Sequence, residues 1–85
     1  MRLTVYDNFY TLYKEVYANG HYIGCCECRH NVLSFRPVWD PSVRIMAVGV
    51  SELRHKILKL YDFDENKILN LAIDCEDSMK GGSTF

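Results

Sequence analysis

Helical periodicity is clearest in the second half of the chain. Leu53, Ile57 and Leu60, preceded by Val50, recur at three- and four-residue intervals, and Arg54, Lys56 and Lys59 fall between them. This spacing predicts one main amphipathic helix over about 51–61, with Leu58 and Tyr61 widening its buried face. Ser51 stands where a helix N-cap is expected, and Glu52 falls in the first turn, where the helix dipole favours an acid. Just before it, residues 44–50 (RIMAVGV) are almost continuously apolar and rich in β-branched side chains. That run predicts a central strand buried on both faces.

The first half alternates instead. Asn19-Gly20 favours the positive φ angles of a type I′ turn, and both flanks are rich in β-formers, so residues 11–18 and 21–28 read as a hairpin. Residues 3–6 predict a further strand or the start of the same one, and 32–36 a short returning strand. Pro37 and Pro41 bracket a linker at which regular pairing stops. After the polar break at 62–67, the alternation of Leu69, Leu71 and Ile73 predicts a last strand over 68–73. The sum is an α+β domain over residues 1–77, a sheet of four to five mainly antiparallel strands on one main helix. A flexible tail over 78–85, containing Gly81-Gly82, follows.

Composition narrows the function classes. Eighty-five residues suffice for one small domain, and 48% hydrophobic with 25% charged residues is a globular balance. Ten basic against eleven acidic side chains argue against a strongly basic nucleic-acid binder. The longest uncharged apolar run is far too short to cross a bilayer, and no secretory signal pattern opens the sequence, so a cytoplasmic or nuclear location without membrane insertion is expected. Reduced thiols fit that setting. Cys25 and Cys28 carry the two-residue gap of a zinc half-site, with His30 two positions on, and a zinc site on these three is one reading. The other is that the cysteines are small hydrophobes on a strand, where Cys26, Cys28 and His30 share one face and Cys25 points to the other. No second ligand pair at finger spacing follows, so no cofactor is expected. Catalysis has little to rest on either: the three histidines are scattered, and there is no nucleophile elbow or phosphate-binding glycine loop.

Residues 50–61 (VSELRHKILKLY), followed by Phe63-Asp64-Glu65-Asn66-Lys67 and Ile68-Leu69-Asn70-Leu71, resemble the first helix and third strand of a Phox-and-Bem type interaction domain. The version most similar is the one at the N-terminus of plant Mutator-type transposases and genes derived from them. Tyr17-Ala18-Asn19-Gly20, the 45–50 run and Ser51-Glu52-Leu53 follow one another in that family's order. The resemblance implies a ubiquitin-like β-grasp fold, with a mixed sheet around one helix; the short chain without an assembled catalytic constellation is separately expected not to be an enzyme. It also implies front-to-back association between a basic strand residue and an acidic loop. Lys14 is the first candidate for the basic partner and Arg44 the second, with Asp74, Glu76 and Asp77 supplying the acidic side. The sequence stops where the family continues with a later strand and a second helix, and a β-grasp shortened there has an open sheet edge suited to strand addition.

The charge distribution agrees with such polarity. Up to Tyr61 there are eight basic and five acidic side chains, and from Asp62 onward two and six. A head-to-tail contact between unlike ends is heterologous and propagates unless capped. The bland reading of Asp74, Glu76 and Asp77 is a solvated acidic run. Trp39, between prolines, reads as an interaction anchor or as a plug at the base of the sheet. The tyrosines and phenylalanine at 6, 9, 10, 13, 17 and 22 serve strand packing, or stacking on nucleobases. The function expected is therefore a small protein–protein interaction module, self-associating or in a hetero-complex. The alternatives are a zinc-stabilised nucleic-acid binder and a small inhibitor or toxin that occupies a larger protein.

Overall fold

The computed structural model describes residues 1–8 and 12–82, with side chains through 78. Five strands, β1 (Leu3–Asp7), β2 (Tyr13–Ala18), β3 (His21–Arg29), β4 (Val32–Pro37) and β5 (Ile45–Ala47), precede two helices, α1 (Val50–Leu60) and α2 (Glu65–Gly82). The strands form one sheet in the order β1-β2-β3-β4-β5, and every neighbouring pair is antiparallel. The α+β class and the strand number are as the alternation predicts. The parallel pair of a mixed sheet does not occur among the described strands.

Two tight turns set the register. Asn19 and Gly20 (φ +50° and +82°) join β2 to β3, and His30 and Asn31 (φ +51° and +65°) join β3 to β4. Both linkers take the doubly positive conformation that matches strand twist. Between Val16 and Tyr17 the pairing slips by one residue. Beyond the slip Ile23 is fully buried, while Gly24 (φ +153°) is pressed so close to β4 that a Cβ on it would lie 2.1 Å from the Arg36 carbonyl oxygen. A glycine is therefore required there.

One face of the sheet carries the core. Val16, Ala18, Ile23, Cys26, Leu33, Phe35 and Ala47 are buried beneath Leu53, Ile57 and Leu58 of α1 and Ile68 and Ala72 of α2. No charged side chain is buried among the described residues.

Several sequence expectations need correction. The 44–50 run is a three-residue edge strand, not a central one, and Met46 and Val48 are exposed. Its chain leaves the sheet at Val48 because Gly49 (φ +99°) turns it into α1. Gly49, not Ser51, occupies the N-cap position, its carbonyl accepting from the Leu53 N–H (3.1 Å). Glu52 reaches back to the Val48 N–H (3.2 Å), a capping interaction displaced by one residue from the usual box. The buried stripe of α1 runs through Leu53, Ile57 and Leu58, leaving Val50 and Leu60 exposed.

The strand expected at 68–73 is part of α2. Asp62 and Phe63 take left-handed conformations that turn the chain sharply after α1. Asp64 then accepts from the Lys67 N–H (3.2 Å) and starts a second helix. Ile68 and Ala72, one helical turn apart, are its buried positions. The helix continues through polar residues to Gly82, so the segment from 78 is helical as far as 82, and 83–85 lie outside the described residues.

Candidate interaction surface

Both helices lie on the core side, so the opposite face of the sheet has no helix over it. Its side chains follow from the register. Thr4 and Tyr6 of β1, Tyr13, Glu15 and Tyr17 of β2, and Tyr22, Cys25, Glu27 and Arg29 of β3 alternate with core residues. Val32, Ser34 and Arg36 of β4 and Met46 of β5 do the same. One row crosses the whole sheet: Tyr6 lies opposite Glu15, Glu15 opposite Cys25, and Cys25 opposite Arg36. Arg44, the residue before β5, continues it and borders the same shallow hollow as Arg29, Ser34 and Met46.

The two halves of this face differ in chemistry. On β1–β3, Tyr17 stands edge-on to both Tyr6 (5.3 Å between ring centres) and Tyr22 (5.5 Å). Its hydroxyl donates to Glu15 Oε1 at 3.3 Å. Burial, and then the negative charge of Glu15, push the Tyr17 hydroxyl above its ordinary pKa. Tyr22 is raised by burial, followed by Cys25 and Glu15. This half is aromatic with a carboxylate at its centre, a setting that attracts cations. Arg36 on β4 and Arg44, just before β5, are exposed and of like charge. Arg29 also points this way, but it is paired with Glu27 on its own strand.

The residues singled out in the sequence are placed as follows. Lys14 lies at the end of β2, ion-paired with Asp7, and that hydrogen bond raises its pKa. It borders a hollow of about 520 Å³ walled by Val5, Leu33, Val48 and Val50. Arg44 lies at the β5 edge, bordering both the hollow on the helix-free face and one walled by Lys56, Lys59 and Leu60 of α1. Asp74, Glu76 and Asp77 sit on α2 rather than in a loop. Glu76 is engaged with β3, accepting from the Tyr22 N–H (3.3 Å) and lying 3.3 Å from His21 Nδ1. Asp74 and Asp77 are exposed. Lys14 and this acidic group are therefore not brought together within the molecule. Trp39 is half-buried, its Nε1–H donating to the Tyr61 hydroxyl (2.6 Å), with the rings 5.8 Å apart. It fastens the linker after β4 to the residue that follows α1.

The zinc reading meets a geometric obstacle. Cys25 faces Arg36 on the helix-free side, while Cys28 faces Leu33 on the other, and His30 is exposed in the turn. Cys26, buried beneath the helices, has its thiol pushed up to about 11 by burial. No group of three or more His, Cys, Asp or Glu side chains able to hold a metal occurs among the described residues. Of the aromatic cluster, Phe9 and Tyr10 lie outside the described residues. No helix among those described is long and apolar enough to cross a membrane.

The sheet edges also differ. At β5 the outward backbone is occupied: Glu52 accepts from the Val48 N–H, Lys56 donates to the Met46 carbonyl (2.7 Å), and the two side chains pair with each other at 3.0 Å. At β1 no strand pairs with the outer side of Leu3–Asp7 among the described residues.

Glu15, Cys25 and Arg36 are absent as a set from the sequence reading. Alternation along β2 puts Tyr13, Glu15 and Tyr17 on one face, but their cross-strand neighbours depend on the bulge. Comparison with family models, curated proteins and solved structures finds no match to this chain.

Proposed function

We propose that this chain is a small protein-interaction module whose docking surface is the helix-free face of its sheet. The observation that carries the reading is the Tyr6–Glu15–Cys25–Arg36 row, which crosses β1 to β4 from an aromatic, anionic half to a cationic one and has Arg44 beyond it, just before β5. A face that neither helix covers among the described residues, with large tyrosines and two arginines, has the side-chain types that dominate binding energy at protein interfaces. Arg36 on β4 and Arg44 just before β5 are both exposed and neither has an ion pair among the described residues, so an anionic or aromatic partner group suits them. Phosphate-rich partners fit less well, because Glu15 sits among the tyrosines and Glu76 beside Tyr22. The same face serves an adaptor and an inhibitor, which differ only in what is bound.

Capture from an extract of the source cells on the immobilised chain tests this. The expected result is a discrete set of proteins retained by the wild type, lost with Tyr6→Ala and Arg36→Ala, and kept with Asp77→Ala on α2. Equal capture by all four proteins contradicts the reading.

A further inference from the structure

We propose that the partner is a second copy of this chain, docked face to face by a two-fold axis that runs along β3 and passes over Cys25. The inference rests on the helix-free face being the docking surface, and it adds who docks there and in what register.

The helix-free face is complementary to itself. An axis parallel to the strands and centred on β3 exchanges β1 with β5 and β2 with β4 between the copies. Along the row that crosses the sheet, Glu15 of one copy then meets Arg36 of the other, and Tyr6 meets Arg44. Each contact occurs twice, as an isologous interface requires. Each joins groups that attract: a carboxylate with a guanidinium, and a tyrosine ring with a guanidinium. The residue on the axis is Cys25, uncharged, half-buried and small enough to meet its own copy. Glu27 also meets its equivalent near the axis, but Arg29 on the same strand already neutralises it. Sheets packed in this aligned manner lie about 10 Å apart.

Size sets the strength. Five strands about 4.8 Å apart and about five residues long cover roughly 400 Å² per copy, below the standard interface. The expected dimer is accordingly weak, dissociating on the order of 100 μM, and rises steeply with concentration. Glu15 and Arg36 sit one strand from the axis, where water is best excluded, so reversing either charge weakens the dimer by about tenfold or more.

Sedimentation velocity on the full chain from 10 μM to about 1 mM, under reducing conditions, tests the proposal. The wild type is expected to pass from monomer to dimer. Glu15→Arg and Arg36→Glu each move the half-way point of that passage up about tenfold or more, to about 1 mM or above, and the Glu15→Arg/Arg36→Glu double variant restores it, because the exchanged charges again meet their opposites. A second measurement leaves the face intact. In a Cys28→Ala/Cys75→Ala background, a short bismaleimide is expected to link Cys25 to Cys25 across the axis in proportion to the dimer present. A wild type monomeric at 1 mM, single variants that dimerise like the wild type, or no Cys25 cross-link in a sample that sediments as dimer would each overturn the proposal. Should the dimer fail while Tyr6→Ala and Arg36→Ala still abolish capture of other proteins, the docking surface stands and only its occupant is wrong.

Discussion

Gly24 decides more of this structure than its size suggests. It follows the bulge on β3, and the close approach of β4 leaves no space for a methyl group beside the Arg36 carbonyl. Gly24→Ala is expected to destabilise the fold by about 2–4 kcal/mol, combining backbone strain with overpacking, as read from urea denaturation. A change below 0.5 kcal/mol on the order-of-magnitude scale of surface substitutions contradicts the tight approach. Just beyond the same end of β4, Tyr61→Phe removes the acceptor of the Trp39 indole N–H. A loss of about 1 kcal/mol is expected, measured in the same way. At this scale the sequence was informative wherever a residue's own chemistry dictates its geometry: Asn19-Gly20 and its turn, Cys25 and Cys28 on opposite faces. It was uninformative about the neighbours of Glu15. An unbulged hairpin from Asn19-Gly20 sets Glu15 opposite Gly24, and only the slip at Val16/Tyr17 brings it to Cys25 and hence into line with Arg36. A lone glycine within a strand was the one local sign of that slip.

Among the elements, α1 was legible from its periodicity and α2 was not. The apolar part of α2 ends near Ile73, and a six-residue apolar run fits a strand as readily as a helix. Asp64 capping the turn after the left-handed Asp62 and Phe63, and the packing of Ile68 and Ala72 beneath β3, decide for the helix. The 44–50 run misled for a related reason. Its apolar side chains serve an edge strand and the entry to α1, and the edge is closed by Glu52 and Lys56 rather than by another strand. Two carboxylates fasten the helix starts, and both are held below the ordinary glutamate range. For Glu52 the main cause is the hydrogen bond from Lys56, then the Val48 N–H; for Glu65 it is the hydrogen bond from the Met1 ammonium, with Arg54 adding to it. Each binds its proton less readily folded than unfolded. Their contribution is therefore complete above the unfolded value, about 4.3, and is lost as the pH falls through the lower folded values. Thermal melts at pH 7 and pH 3 are expected to differ less for Glu65→Gln than for the wild type; an identical difference contradicts the tie between α2 and the N-terminus.

Among the described residues the core and both helices share one face of the sheet, and the opposite face carries tyrosines and arginines on either side of Cys25. Opposite charge was legible in the sequence as a split along the chain, between the part up to Tyr61 and the part after it. In space the division that the proposed docking uses runs across the sheet, with Glu15 on one side and Arg36 on the other. Lys14 and Glu76, prominent in the sequence, are engaged by Asp7 and β3. Hydroxyl-radical footprinting in dilute solution and in the associated state shows which face is covered, since Tyr6, Met46 and Phe63 are all exposed and oxidisable. Tyr6 and Met46, on the helix-free face, are expected to lose reactivity on association, while Phe63, between the helices, keeps it. Unchanged reactivity at Tyr6 and Met46 together with protection of Phe63 would contradict the proposed docking.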